Sequence, residues 1–296
     1  MTFRKHEKFP SKVLKNERDL VVYLPPGYEE QGSRRFPVLY LHDGQNLFDG
    51  TTAFVPGMDW HVGETADHMI GSGAVEPLII VGIYNLGEQR IREYTPTRVP
   101  KLGGGRADRY GKFLIDELKP FIDREYRTLG DSAHTGLGGS SLGGLVSLYV
   151  GLKFPQVFGH LAALSPSVWW NQRVMHRFAA TVQVEPRPRI WLDIGTREGP
   201  QILRDVENFR DVLVKKGWQL GRDLHYERVE GAEHNEAAWS RRVGPVLQFL
   251  FPAGNKERLI RPAARLDEFA LYVSYHRAIE DFPINASGDL CRIRSR

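Results

Sequence analysis

Gly139-Ser140-Ser141-Leu142-Gly143 reads G-x-S-x-G, and its flanks give the pattern meaning. Small and β-favouring residues lead in from His134, and Leu145-Val146-Ser147-Leu148-Tyr149-Val150 leads out as a helix. A strand, a sharp turn and a helix would put Ser141 at the tip of a nucleophile elbow. The serine backbone in such a turn lies in a sparsely allowed region that only the surroundings can enforce. Side chains at 139 or 143 would collide there, so both positions require glycine. Ser141 also stands at a helix N-terminus, where free N–H groups and the positive dipole end favour a developing oxyanion. A serine hydroxyl is nearly inert at neutral pH until a base takes its proton. The elbow therefore calls for a histidine, and the histidine for a carboxylate that fixes its tautomer.

Of the ten histidines, His234 is the best base, because it follows a strand in a loop between Gly231 and the helix start Asn235-Glu236. His42 also ends a strand, but it precedes the elbow and is given a structural role. His134, His160 and His225 fall inside expected strands. Two carboxylates lie near one strand end. Glu198 sits in the loop beyond the strand, where it can reach His234, and is preferred. Asp193 lies within the strand and is the alternative. The order Ser…Glu…His is that of α/β-hydrolases. Two donors must meet the oxyanion. The N–H of Leu142, just after the nucleophile, is one, and the turn His42-Asp43-Gly44-Gln45 offers the N–H of Gln45 as the other.

Trp60, Trp169 and Trp170 are candidates for the pocket wall, since aromatic walls suit ester substrates; core tryptophans are the competing reading. Arg92, within Arg92-Glu93-Tyr94, could clamp a substrate carboxylate or brace a lid, or belong to a buried structural ion pair. Gly103 to Gly105 lack the preceding strand and following Gly-Lys-Ser/Thr of a phosphate loop.

These residues need elements to carry them. Lys12–Leu14 and Asp19–Leu24 read as short strands, and Phe36–Leu41 and Pro77–Tyr84 as strands buried on both faces. Further strands are expected at Phe158–Leu164, Arg189–Ile194 and Leu224–Val229. Helices are expected at Asp59–Ile70, Asp108–Tyr126, Pro200–Lys216 and Glu236–Phe251. Asn85–Arg106 reads as a long irregular segment. The alternation predicts an α/β fold with a mostly parallel central sheet and helices on both faces. Ligands bind such sheets beyond the carboxyl ends of the strands, and the candidate catalytic residues fall there. Residues 1–252 are expected to form the catalytic domain. The stretch 253–296 reads as a helical extension packed on it.

The 296 residues are 41% hydrophobic and 26% charged, with a formal net charge of +4. The basic residues are dispersed, which disfavours nucleic acid as a partner. Apolar runs are too short to span a bilayer, and Met1 to Lys8 contain no apolar core of a signal peptide. A single cysteine, Cys291, excludes an internal disulfide framework and suits a reducing, cytoplasmic compartment. No cofactor or metal is implied. The tail could serve packing or self-association, so a homo-oligomer is one expectation.

Leu39-Tyr40-Leu41-His42-Asp43-Gly44-Gln45-Asn46-Leu47-Phe48-Asp49, Arg92-Glu93-Tyr94-Thr95-Pro96, the elbow, and Gly231-Ala232-Glu233-His234-Asn235-Glu236 together resemble the putative-esterase branch of the α/β-hydrolases. That branch includes trilactone siderophore esterases, feruloyl esterases, S-formylglutathione hydrolases and mycolyltransferases. The resemblance implies Ser141 as nucleophile, His234 as base, Glu198 as the acid of a Gly-Thr-x-Glu segment, and Gln45 and Leu142 as oxyanion donors. The expected activity is serine ester hydrolysis through an acyl-enzyme, on a small or aryl ester of siderophore-lactone, feruloyl or acetyl type. An acyltransferase using the same machinery, or a non-catalytic binding module on this scaffold, are the alternatives. Cytoplasmic siderophore esterases carry an additional N-terminal domain, which has no counterpart here.

Overall fold

The strands β3 (Val38–His42) and β4 (Ile79–Ile83) are buried along their whole lengths, as their unbroken apolar runs require. Around them a computed structural model describes residues 1–254. Six further strands complete the main sheet: β1 (Thr2–Ser11), β2 (Asn16–Leu24), β5 (Thr135–Ser140), β6 (His160–Leu164), β7 (Arg189–Gly195) and β8 (Leu224–Val229). The order across the eight strands is β1-β2-β4-β3-β5-β6-β7-β8. From β4 to β8 every pair is parallel, while β1 and β2 join antiparallel at one edge.

Alternate side chains face opposite layers, as the two-residue strand period demands. Tyr40 packs into one core with α3 (Ala107–Lys112), α5 (Leu142–Lys153), α6 (Trp170–Thr181) and α7 (Pro200–Lys215). Leu39 and Leu41 pack into the other, with α1 (Val62–Gly71) and α9 (Val243–Leu250). Helix α5 lies directly on β6, because Gly151 offers no side chain there; a Cβ at that position would collide with Leu161. This is the mostly parallel, two-sided α/β sheet that the alternation of elements predicts.

Local departures have physical causes. Lys12–Leu14 is a turn, and the first strand is the preceding Thr2–Ser11. That strand is mostly exposed and charged, so its sequence carries little apolar alternation. The expected long helix from Asp108 is present as an uninterrupted helical run over 107–125, in which a π-helical stretch, Phe113–Leu118, joins α3 to α4 (Lys119–Glu125). The expected helix from Glu236 breaks at Arg241-Arg242 into α8 (Glu236–Ser240) and α9. Asn85–Arg106 contains α2 (Gln89–Glu93) and a small ribbon pairing Arg98–Val99 with Gly103–Gly104. Helix α6 was not anticipated; it opens with Asn171, Gln172 and Arg173 in left-handed conformation, which no helix pattern signals. No helix among the described residues is long and apolar enough to cross a membrane. Beyond Gly254 the expected extension lies outside the described residues.

Candidate active site

The turn from β5 into α5 holds Ser141 at φ 55° and ψ −121°, a region L-residues avoid unless forced. The forcing contacts are specific. Ser141 N–H donates to Leu164 O, and Ser141 O accepts from Leu145 N and Ser167 N, each at 3.0 Å. Beside the turn, a Cβ at Gly139 would stand 3.1 Å from His42 Cβ, and one at Gly143 would stand 3.2 Å from Asp43 Oδ2. Glycine at both positions lets the loop after β3 close onto the elbow.

The loop after β8 brings His234 to the same point, with Nε2 2.9 Å from Ser141 Oγ and Nδ1 2.6 Å from Glu198 Oε2. The loops after β7 and β8 are tied by Arg197 N–H to Ala232 O at 3.0 Å. A Cβ at Gly195 would collide with Ala232 O, so only glycine permits this approach. The Glu198 side chain is fully buried, whereas the His234 side chain is 41% exposed, leaving the serine end open. Burial would raise the Glu198 pKa, but hydrogen bonds from His234, Ser165 and the Gly195 N–H outweigh it and hold the carboxyl below its ordinary range.

Asp193, the alternative acid, does not meet His234. It accepts from Trp191 Nε1 at 2.7 Å and from Ser165 N at 2.9 Å, and it pairs with Arg242. Within a strand, its side chain goes into the packing between sheet and α9.

Gln45 lies in a single 3-10 turn over Gly44–Asn46, set off by Asp43 in left-handed conformation at φ 59°. Leu142 is the first residue of α5, so its N–H has no intrahelical partner. The Gln45 turn is braced from the long loop: Arg90 grips Asp43 with two nitrogens, and Asn85 Nδ2 adds a third bond at 2.7 Å. Asn85 N–H also reaches Gln45 Oε1 at 3.2 Å. Burial would raise the Asp43 pKa, but Arg90 and Asn85 lower it below the usual range. His42 is buried against Tyr110, and burial drives its pKa down to about 3; it is structural, as its position suggested.

The tryptophans divide. Trp60 and Trp170 are core residues at 2% and 1% exposure, so neither lines an open wall. Trp60 packs against Trp239, which in turn meets the His234 ring edge-on. Trp170 donates to Thr97 O. Trp169 is 39% exposed, in the segment that Ser167 ties to Ser141. Arg92 is exposed on α2 and takes no part in the hydrogen bonds around Ser141. Its neighbour Glu93 makes the buried ion pair, with Arg18 from β2, at 2.9 Å.

Sequence reasoning missed Ser165, Ser167, Arg242 and the role of Arg90. Ser167 Oγ is 3.3 Å from Ser141 Oγ. Ser165-Pro166-Ser167 follows a strand's carboxyl end, and that placement was an available signal. Arg242, between two helices, offered none.

A parallel sheet in this order, with a strained serine at a strand–helix turn and a His–Glu pair from later loops, defines an esterase of the α/β-hydrolase class. The chain belongs to the family described as Putative esterase, which matches residues 11–249, and carboxylic ester hydrolysis is its reaction class. It is similar to the endo-1,4-beta-xylanase/feruloyl esterase of Xylanibacter ruminicola, at 28% identity over 234 residues, covering 78% of this chain and 29% of that one. It is also similar to the ferri-bacillibactin esterase BesA of Bacillus subtilis, at 33% identity over 153 residues, covering 46% of this chain and 50% of that one. The chain thus spans half or less of the length of these two relatives. Among solved structures it resembles an IroE-like serine hydrolase from Shewanella oneidensis, with a TM-score of 0.69, 23% identity, and coverage of 84% of this chain and 80% of that one. At that identity the shared property is the fold.

Proposed function

We propose that the chain hydrolyses carboxylic esters by a serine mechanism through an acyl-enzyme. Ser141 Oγ attacks the ester carbonyl while His234 Nε2 takes its proton. Glu198 holds Nδ1–H and stabilises the imidazolium. The carbonyl electron pair moves onto oxygen, where the N–H groups of Leu142 and Gln45 receive it. Collapse expels the alcohol, protonated by His234. Water then repeats the sequence on the acyl-serine and releases the acid. The observation that carries this reading is the continuous chain Ser141 Oγ–His234 Nε2 at 2.9 Å and His234 Nδ1–Glu198 Oε2 at 2.6 Å.

The substrate is a small-molecule ester of aryl, siderophore-lactone or acetyl type. The feruloyl and siderophore relatives and the exposed Trp169 support the aryl part. A cytoplasmic location belongs to the proposal and rests on composition, one cysteine in 296 residues. The test is pre-steady-state release of p-nitrophenol from p-nitrophenyl acetate. A burst that vanishes in Ser141→Ala, with fluorophosphonate labelling of Ser141, is expected. No turnover of any short ester and no labelling would overturn the reading.

A further inference from the structure

Ser165, at the end of β6, is buried and has a φ of 44°, a conformation L side chains seldom adopt. Its hydrogen bonds fix where its proton points. Trp239 Nε1 and Arg242 lie 3.1 Å and 3.2 Å from Ser165 Oγ. Indole and guanidinium nitrogens can only donate, so both of these bonds are accepted by the Ser165 oxygen. The hydroxyl hydrogen is left for the remaining neighbour, Glu198 Oε1 at 2.6 Å. Glu198 Oε1 also receives the Gly195 N–H at 2.8 Å. One carboxylate oxygen is thereby occupied, and Oε2 faces the histidine. The backbone of the same serine donates to Asp193 Oδ1 at 2.9 Å. A single residue therefore holds both buried carboxylates behind the site, with the Arg242 cation between them.

We infer that Ser165 is a positioning residue of the active centre: it couples the buried Arg242–Asp193 pair to Glu198 and decides which oxygen of Glu198 meets His234. The inference rests on the reading of Ser141, His234 and Glu198 as the reacting set. The strained backbone fits this role, because the left-handed turn is what aims the hydroxyl and the N–H at two different acids. The charged groups facing this point are Glu198 and His234 from the loops after β7 and β8, Asp193 from β7, and Arg242 between α8 and α9. The Arg197–Glu233 pair, at 3.9 Å, flanks it on the exposed side.

The test compares wild type with Ser165→Gly, which tolerates the positive φ and removes the CH2OH side chain with its donor. The expected result is a fall in kcat of at least about tenfold with KM little changed, as loosened positioning produces. The acid limb of the kcat/KM profile moves to higher pH, because a Glu198 stripped of one donor turns more negative charge on the histidine. A merely structural role would leave that limb in place. Ser165→Cys, which keeps bulk but donates weakly, repeats the test should the glycine variant not fold. Normal kcat, or reduced kcat with an unmoved acid limb, overturns the inference. Absence of Ser141-dependent turnover in wild type would instead overturn the triad reading on which it rests.

Discussion

Arg90 closes on both oxygens of Asp43, with Nε–Oδ1 at 2.7 Å and the second nitrogen to Oδ2 at 2.8 Å. Asp43 immediately precedes the turn that carries Gln45, so a residue of the long loop locks the expected second oxyanion donor. Arg90→Lys keeps the charge but loses the planar two-point grip. Its kcat on p-nitrophenyl acetate should fall about ten- to a hundredfold, below the loss typical of deleting a donor outright. KM should hold. Unchanged kcat would mean the turn needs no brace.

Glu198 and Asp193 should separate cleanly under mutation. Glu198→Gln leaves the shape but favours the wrong histidine tautomer, and kcat should drop by roughly 10³ to 10⁴ with a smaller loss of thermal stability than Asp193→Asn. Asp193→Asn strands the buried Arg242 charge. It should destabilise the fold by about 3–5 kcal/mol, read as a lowered unfolding midpoint. The reverse pattern would reassign the acid.

Buried His42 makes stability depend on pH. Burial lowers its pKa from 6.5 to about 3, so below pH 6.5 the unfolded chain takes up a proton that the folded chain refuses. Unfolding free energy should therefore fall as pH drops from 6.5 toward 4.5, by up to about 1.4 kcal/mol per pH unit from this group. His42→Gln should flatten that slope. Asp43 and Glu198, whose pKa values are lowered, stabilise above their ordinary carboxylate values and lose that contribution only at still lower pH. Urea midpoints between pH 4.5 and 7 for both proteins check the sign.

Trp169 and Trp60 should fail in different ways. Trp169→Ala should raise KM for feruloyl or naphthyl esters several-fold while sparing acetyl esters, since only an aryl group can use its exposed face. Trp60→Ala opens a hole beside Trp239 and should cost about 3–5 kcal/mol of stability. An ester panel and a melting curve distinguish them.

The sheet and the elbow were legible because their signals are local. Val38–His42 and Ile79–Ile83 announce buried strands by unbroken apolar runs, and Gly139 and Gly143 announce the turn by sterics. His234 and Glu198 could be placed because each follows a strand's carboxyl end. Glu198 is preferred over Asp193 from its place in the loop beyond the strand, but what occupies Asp193 instead depends on where Arg242 and Trp191 stand. The exposed β1 escaped because an edge strand with charges on it lacks an apolar rhythm. Trp60 and Trp170 show the same limit: composition offers an aromatic wall, but only packing assigns a ring to surface or core.

The bare backbone at Gly151 sits near the far end of the twelve-residue helix α5, whose first residue follows the serine, and it sets how closely that helix approaches Leu161 of the sheet. Any side chain there would act as a shim between rod and sheet, displacing Leu161 or lifting the helix. The usual exchange of glycine for alanine would thus gain helicity and lose packing, so a substitution chosen to firm the helix would loosen its seat on the sheet.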